Sequence, residues 1–162
     1  MKVVLGPGPS HALGMKLEAK GRYAPPPVLE PAAQRAAQAI AKWEGVHART
    51  HWLLGDEREV DGADFYFGSD EVGHIHLDSE AHIFVGRSVA AALIKAGLAR
   101  RFEWSREAVA FEVRAQGDVG HALWLFELSY ERRRGLAPDA LLARIGEYVE
   151  RDARQLQLHQ RG

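Results

Sequence analysis

Between Ala48 and Val85 the chain changes direction every few residues, and this constrains the fold more than any other feature. Four short stretches, "ARTHWLL", "ADFYFG", "EVGHIHL" and "AHIFV", are rich in aromatic and β-branched residues. They are separated by Gly55, a charged turn at Asp56 to Asp61, Gly68-Ser69-Asp70 and Asp78-Ser79-Glu80. Such punctuation marks strands and turns. Connections this short cannot make the crossover that a parallel pair needs, so the strands must pair antiparallel.

The period then changes. "RSVAAALIKAGLA" places Val89, Ala90, Leu93 and Ile94 at helical spacing, with Ser88 as N-cap and Gly97 as the residue after the last turn. "EAVAFEVR" alternates Val109, Phe111 and Val113 with Ala110, Glu112 and Arg114, which is a half-buried strand. A helix follows from Asp118, its cap, to a stop at Gly135, and lines Val119, Ala122, Leu123, Phe126 and Tyr130 along one face. Trp124, Leu125 and Leu128 widen that surface, as in a helix buried between layers or at a subunit contact. "PAAQRAAQAIAKW" before the strands is a helix opened by Pro31 and ended by Gly45. The last helix carries Leu141, Leu142, Ile145, Val149, Ala153 and Leu156 on one side.

The expected fold is therefore α+β: an antiparallel sheet of about five strands with helices on one face. Residues 1–30, which hold most of the prolines, read as an extended N-terminal arm. Residues 31–134 form the core domain. Residues 135–162 form a C-terminal helix packed on the core or on a partner subunit, and a homo-oligomer through the arm 1–30 or the helix 138–159 is expected.

Side chains alternate across a strand, so turn length decides which residues share a face. A three-residue turn at Asp78-Ser79-Glu80 pairs Leu77 with Ala81 and His76 with His82. Ile75, Leu77, Ala81, Ile83 and Val85 then share an apolar face, and His74, His76 and His82 share the other. A two-residue turn would bury His82 among aliphatics, at ~1–3 kcal/mol if its nitrogens find no partner. An odd turn at Gly68-Ser69-Asp70 adds Phe65 and Phe67 to the core face and Asp64 and Tyr66 to the histidine face. Glu112 joins the latter from the fifth strand. The candidate ligand-binding face is thus His74, His76, His82, Tyr66, Asp64 and Glu112. No cofactor is evident, but three histidines on adjacent strands are also the ligand type of an open zinc site, so His74, His76 and His82 are the candidate metal ligands.

Two motifs carry a family resemblance: an "E-h-G-H-h-H" strand at Glu71 to His76, followed by an acidic turn, and a "D-V-x-H-A-L-W-L-x-x-L-S-Y" helix at Asp118 to Tyr130. With Trp43 and the strand after it, residues 40–134 resemble the widespread bacterial family of unknown function labelled "luciferase domain". Many members carry glycine after the second histidine and aspartate at the His82 position, so Leu77 and His82 depart from the pattern. A three-histidine site would belong to this chain and not to the family. The element order is also similar, at fold level, to small double-wing α+β proteins.

The remaining composition narrows partners. Net charge is −1, which gives no overall pull toward nucleic acid, and the clusters Arg100-Arg101 and Arg132 to Arg134 sit where helix ends favour arginine. With no cysteine, disulfides and thiolate chemistry are excluded. No stretch approaches the ~20 apolar residues of a membrane span, and a cytoplasmic location is expected. There is no nucleophile-elbow or phosphate-loop motif. Three readings follow: a small-molecule-binding module using the histidine face, an interaction, assembly or nucleic-acid-binding protein, and a zinc-dependent hydrolase.

Overall fold

The structure is a computed structural model, and it describes residues 21–53 and 56–161. Within these residues the order is α1 (Pro31–Ile40), β1 (Val46–Leu53), β2 (Asp56–Phe67), β3 (Asp70–His76), β4 (Glu80–Phe84), α2 (Arg87–Lys95), β5 (Arg100–Arg101), β6 (Ala108–Glu112), a 3-10 turn (Gln116–Asp118), α3 (Val119–Arg133) and α4 (Pro138–Gln160). The fold is α+β, as expected. One open antiparallel sheet runs β1-β2-β3-β4-β6-β5. The sixth strand, β5, has only two residues, too short to leave a period in the sequence.

The apolar face of the sheet presents Ala63, Phe65, Val72, Ile75, Ala81, Ile83 and Val109. α1 adds Ala33, Ala36 and Ile40, α2 adds Val89, Ala90 and Leu93, and α3 adds Ala122, Leu125, Phe126 and Leu128 to the same core. Trp124 is only partly buried against it. The wide apolar surface of α3 is therefore mostly core. α4 buries only Leu141 and Ile145, and its distal residues Val149, Leu156 and Leu158 are exposed.

Helix ends follow local chemistry. α2 closes in a Schellman arrangement, with Leu98 N–H donating to Leu93 O, Gly97 N–H to Ile94 O, and Gly97 at φ +70°. Its start differs from expectation: Gly86, not Ser88, precedes the first turn, so Ser88 lies inside the helix. Asp118 also does not cap α3 forward. Its Oδ2 accepts from Arg114 N at 3.0 Å and Ala115 N at 2.8 Å, closing the turn before the helix.

Residues 21–25 of the arm lie beside β1. Thr50 N–H donates to Ala24 O, the Arg49 guanidinium to Gly21 O and Arg22 O, and Trp52 Nε1 to Arg22 O. This occupies the Thr50 N–H of an edge strand that would otherwise offer a pairing template, and side chains of β1 hold the rest of the segment in place. The first twenty residues of the expected arm lie outside the described residues.

Candidate functional site

The hairpin β3–β4 keeps the expected parity with the turn one residue earlier. His74 pairs with His82 and Ile75 with Ala81, so the turn is Leu77-Asp78-Ser79. Ser79 takes the left-handed position at φ +74°. Leu77 thus sits in the turn, 43% exposed, instead of on the apolar face. His74, His76 and His82 do share the opposite face.

The β2–β3 connection is tighter than expected. Phe67 pairs with Asp70, leaving two residues in the turn, and the register shifts between Phe65 and Tyr66. This bulge makes Val72 an extra residue and turns it into the core, while Glu71 swings to the histidine face. A second bulge lies opposite β1: His51 pairs with Gly62 and Trp52 with Val60, so Asp61 is extra. Bulges re-aim side chains, and these two carry carboxylates onto a face that simple alternation denies them. "Asp56 to Asp61" is consequently not a turn but the first half of the long strand β2.

Glycine makes the close approaches possible. A Cβ on Gly73 would lie 2.6 Å from His82 O and 2.8 Å from Phe126 Cε1. One on Gly62 would lie 2.1 Å from Ile75 O. Gly73 is the G of the "E-h-G-H-h-H" motif, and its physical role is to let α3 press onto β3 and β4.

The site holds four imidazole–carboxylate pairs. His51 Nδ1 lies 2.6 Å from Asp64 Oδ1, and His74 Nδ1 2.6 Å from Glu71 Oε1. His76 Nδ1 lies 2.8 Å from Asp61 Oδ2, and His82 Nε2 2.7 Å from Glu80 Oε1. The opposite edges of three rings converge: His82 Nδ1 is 3.0 Å from His74 Nε2 and 3.1 Å from His76 Nε2. His51 stacks on His74 with centroids 4.1 Å apart and planes 11° from parallel. One ring nitrogen each from His51, His74 and His76 lies within 4.8 Å of the others. Phe102 closes over His82 at 4.2 Å between centroids.

Burial sets the electrostatics. Asp64 is 0%, Glu71 2%, His74 7% and His82 9% exposed. Burial pushes the His82 imidazole below its usual value, against the pull of Glu80. Burial also raises the Glu80 carboxyl, but hydrogen bonds from His82 and Arg100 outweigh it and hold the group below its usual range. Tyr66 is fully buried, and burial followed by the charges of Glu71 and Asp64 raises its phenol far above the normal value, so it stays protonated. Its hydroxyl has no hydrogen-bond partner among the described residues.

Of the six residues expected on this face, His74, His76, His82 and Asp64 come together. Tyr66 lies beside them, stacked on His47. Glu112 is on the same face but turned to its rim, where Arg114 Nε lies 2.6 Å and the Arg100 guanidinium 3.4 Å away. Sequence reasoning missed His51, Asp61, Glu71, Glu80 and Phe102. His51 was legible in "ARTHWLL", whose alternation places it with Arg49 and His47. Asp61 and Glu71 were hidden by the bulges, for which Gly62 and Gly73 are the nearby signal.

The other motif histidine is elsewhere. His121 Nε2 lies 2.6 Å from Leu98 O and its Nδ1 2.8 Å from Tyr148 Oη, tying α3 to the end of α2 and to α4. Ser129 of the same motif, fully buried, reaches the carbonyls of Val72 and Phe84, both at 2.7 Å. These residues hold the helix layer to the strands that carry the site. No helix among the described residues is long and apolar enough to cross a membrane.

No curated protein and no solved structure matches the chain. Residues 69–129, from the β2–β3 turn through the histidine hairpin to Ser129 in α3, match the family model described as Luciferase domain, in agreement with the resemblance carried by the two motifs.

Proposed function

We propose that this protein is a small-molecule-binding module that takes a positively charged ligand on the histidine face of its sheet. One observation carries the reading: four imidazole–carboxylate pairs, several members buried, stand on the face opposite the helical core. Burying charged and polar groups costs several kcal/mol unless each is paired. The sheet does not need them, because its apolar face already supplies the core. Asp61, Asp64, Glu71 and Glu80 give the face a negative balance that Arg49 and Arg100 offset only in part, so a cationic guest is favoured. The reading rests on these side chains and not on the family description.

The test is a thermal-shift series with imidazolium, guanidinium and putrescine on the full chain. At least one should raise the unfolding midpoint, and His76→Gln should abolish the rise. No shift with any cation, or an equal shift in the variant, would refute the reading.

A second reading, an assembly module, draws on the distal half of α4, which exposes Val149, Leu156 and Leu158. Light scattering on the full chain against a Leu156→Lys, Leu158→Lys variant decides it: a dimer lost in the variant supports assembly, and a monomeric wild type ends it.

A further inference from the structure

The cation that best fits the face is a transition-metal ion. We infer that His51, His74, His76 and His82 form an imidazole site for one divalent ion of the zinc, copper or nickel class, each ring held by a carboxylate on its far edge. The inference rests on the cationic-ligand reading above and names the ligand.

Ring chemistry carries the argument. A carboxylate oxygen 2.6–2.8 Å from an imidazole nitrogen accepts an N–H there. That fixes the proton on Nδ1 of His51, His74 and His76, and on Nε2 of His82. In a neutral ring the other nitrogen then carries a lone pair. With all three rings neutral, His74 Nε2 and His76 Nε2 would each present a lone pair to that of His82 Nδ1, across 3.0 and 3.1 Å. Acceptors repel at that distance unless a positive centre lies between them. Nitrogens bound at 2.0–2.1 Å around a tetrahedral ion stand about 3.4 Å apart, so the two contacts of His82 need to lengthen by only a few tenths of an ångström, and the nitrogens of His51, His74 and His76, now within 4.8 Å of one another, would have to settle at that same spacing.

The stacked ring of His51 is oriented to join. Asp64 Oδ1 is 2.6 Å from His51 Nδ1 and 3.9 Å from His74 Nδ1, so the two parallel rings turn the same edge toward Asp64 and the same edge away. A carboxylate behind each ligating histidine fixes tautomer and ring angle and raises donor strength, which is the usual outer arrangement of histidine metal sites. Here it occurs four times. The donor type sets the class of ion: imidazole suits zinc, copper and nickel, whereas magnesium and calcium take oxygen. The bulges at Asp61 and Val72 gain a purpose, because each delivers one of those supporting carboxylates.

The test uses tag-free, chelator-treated full chain. Titration calorimetry is run with zinc(II) and magnesium(II), visible absorption with cobalt(II), and thermal shift with putrescine. Expected are one zinc per chain, no magnesium heat, and cobalt absorption that zinc displaces. His76→Gln should weaken zinc by more than ~100-fold. Asp61→Asn, which touches no ion, should weaken it by ~10–100-fold. Because Asp61 is partly exposed, at 31%, that variant reports even if the histidine variant fails to fold by circular dichroism. Absence of zinc binding, magnesium binding equal to zinc, or wild-type affinity in folded Asp61→Asn would overturn the inference. Loss of zinc binding with a His76-dependent putrescine shift retained would sink the metal and leave the cationic-ligand reading standing; loss of both would sink the two together.

Discussion

Gly73→Ala is the sharpest test of how the helix layer sets the histidine face. The added methyl would meet His82 O at 2.6 Å, Phe126 Cε1 at 2.8 Å and Ile83 Cα at 3.2 Å. Two of these are backbone atoms of β4 and cannot step aside as a flexible side chain would. The ring of Phe126 is fully buried against Phe65 and has no free volume to enter. Overpacking of this kind costs about 1–3 kcal/mol. For a chain of this size each kcal/mol moves the midpoint by about 2–4 °C, so a fall of about 2–12 °C is expected in differential scanning calorimetry. Gly146→Ala is the matched control. It lies inside α4 with nothing within 4 Å of the added atom, so the same substitution should gain about 0.5–1 kcal/mol from helix propensity alone. Opposite signs confirm that close approach, not glycine as such, matters at position 73. A fall of less than 1 °C in Gly73→Ala would refute the argument.

Three further outcomes are expected. Ser129→Ala should cost about 1–3 kcal/mol in urea unfolding, because it leaves a buried carbonyl of Val72 or Phe84 without its donor; a cost under about 0.3 kcal/mol would show that neither bond matters. Tyr148→Phe should cost about 1 kcal/mol by removing the hydroxyl proton that His121 Nδ1 accepts, with the histidine face unaffected in ligand binding. In chelator-treated protein the stability contributed by neutral His82, whose folded value is depressed, is full above the unfolded value of ~6.5 and is lost as pH falls below it. The midpoint should therefore drop between about pH 7 and pH 5, and His82→Gln should shallow that drop; an identical slope would count against the assignment.

The fold was legible where period and punctuation act locally. The antiparallel strands followed from turns too short for a crossover. The common face of His74, His76 and His82 followed from parity, which survived a shift of the turn by one residue because the loop length stayed odd. β5 escaped because two residues carry no period. The carboxylates at 61 and 71 escaped for a different reason: alternation assumes an unbroken ladder, and both sit at its breaks. His51 lies on β1, and its own alternation puts it on a face, but only the β1–β2 and β2–β3 registers bring that face to His74 and His76. Glu112 was assigned to the right face, but parity says nothing about how far a residue stands from the centre of that face, and Arg114 and Arg100 hold it at the rim.

The extra residue at Asp61 makes site and strand separable by a single codon. Deleting it would extend the unbroken β1–β2 ladder by one pair, to Trp52 and Val60, while His76 lost its carboxylate. A lineage of such chains can therefore weaken the site by a change that tidies the sheet, and an intact one-residue excess in β2 opposite the His51–Trp52 step would be the mark of chains still under selection for what the histidines do.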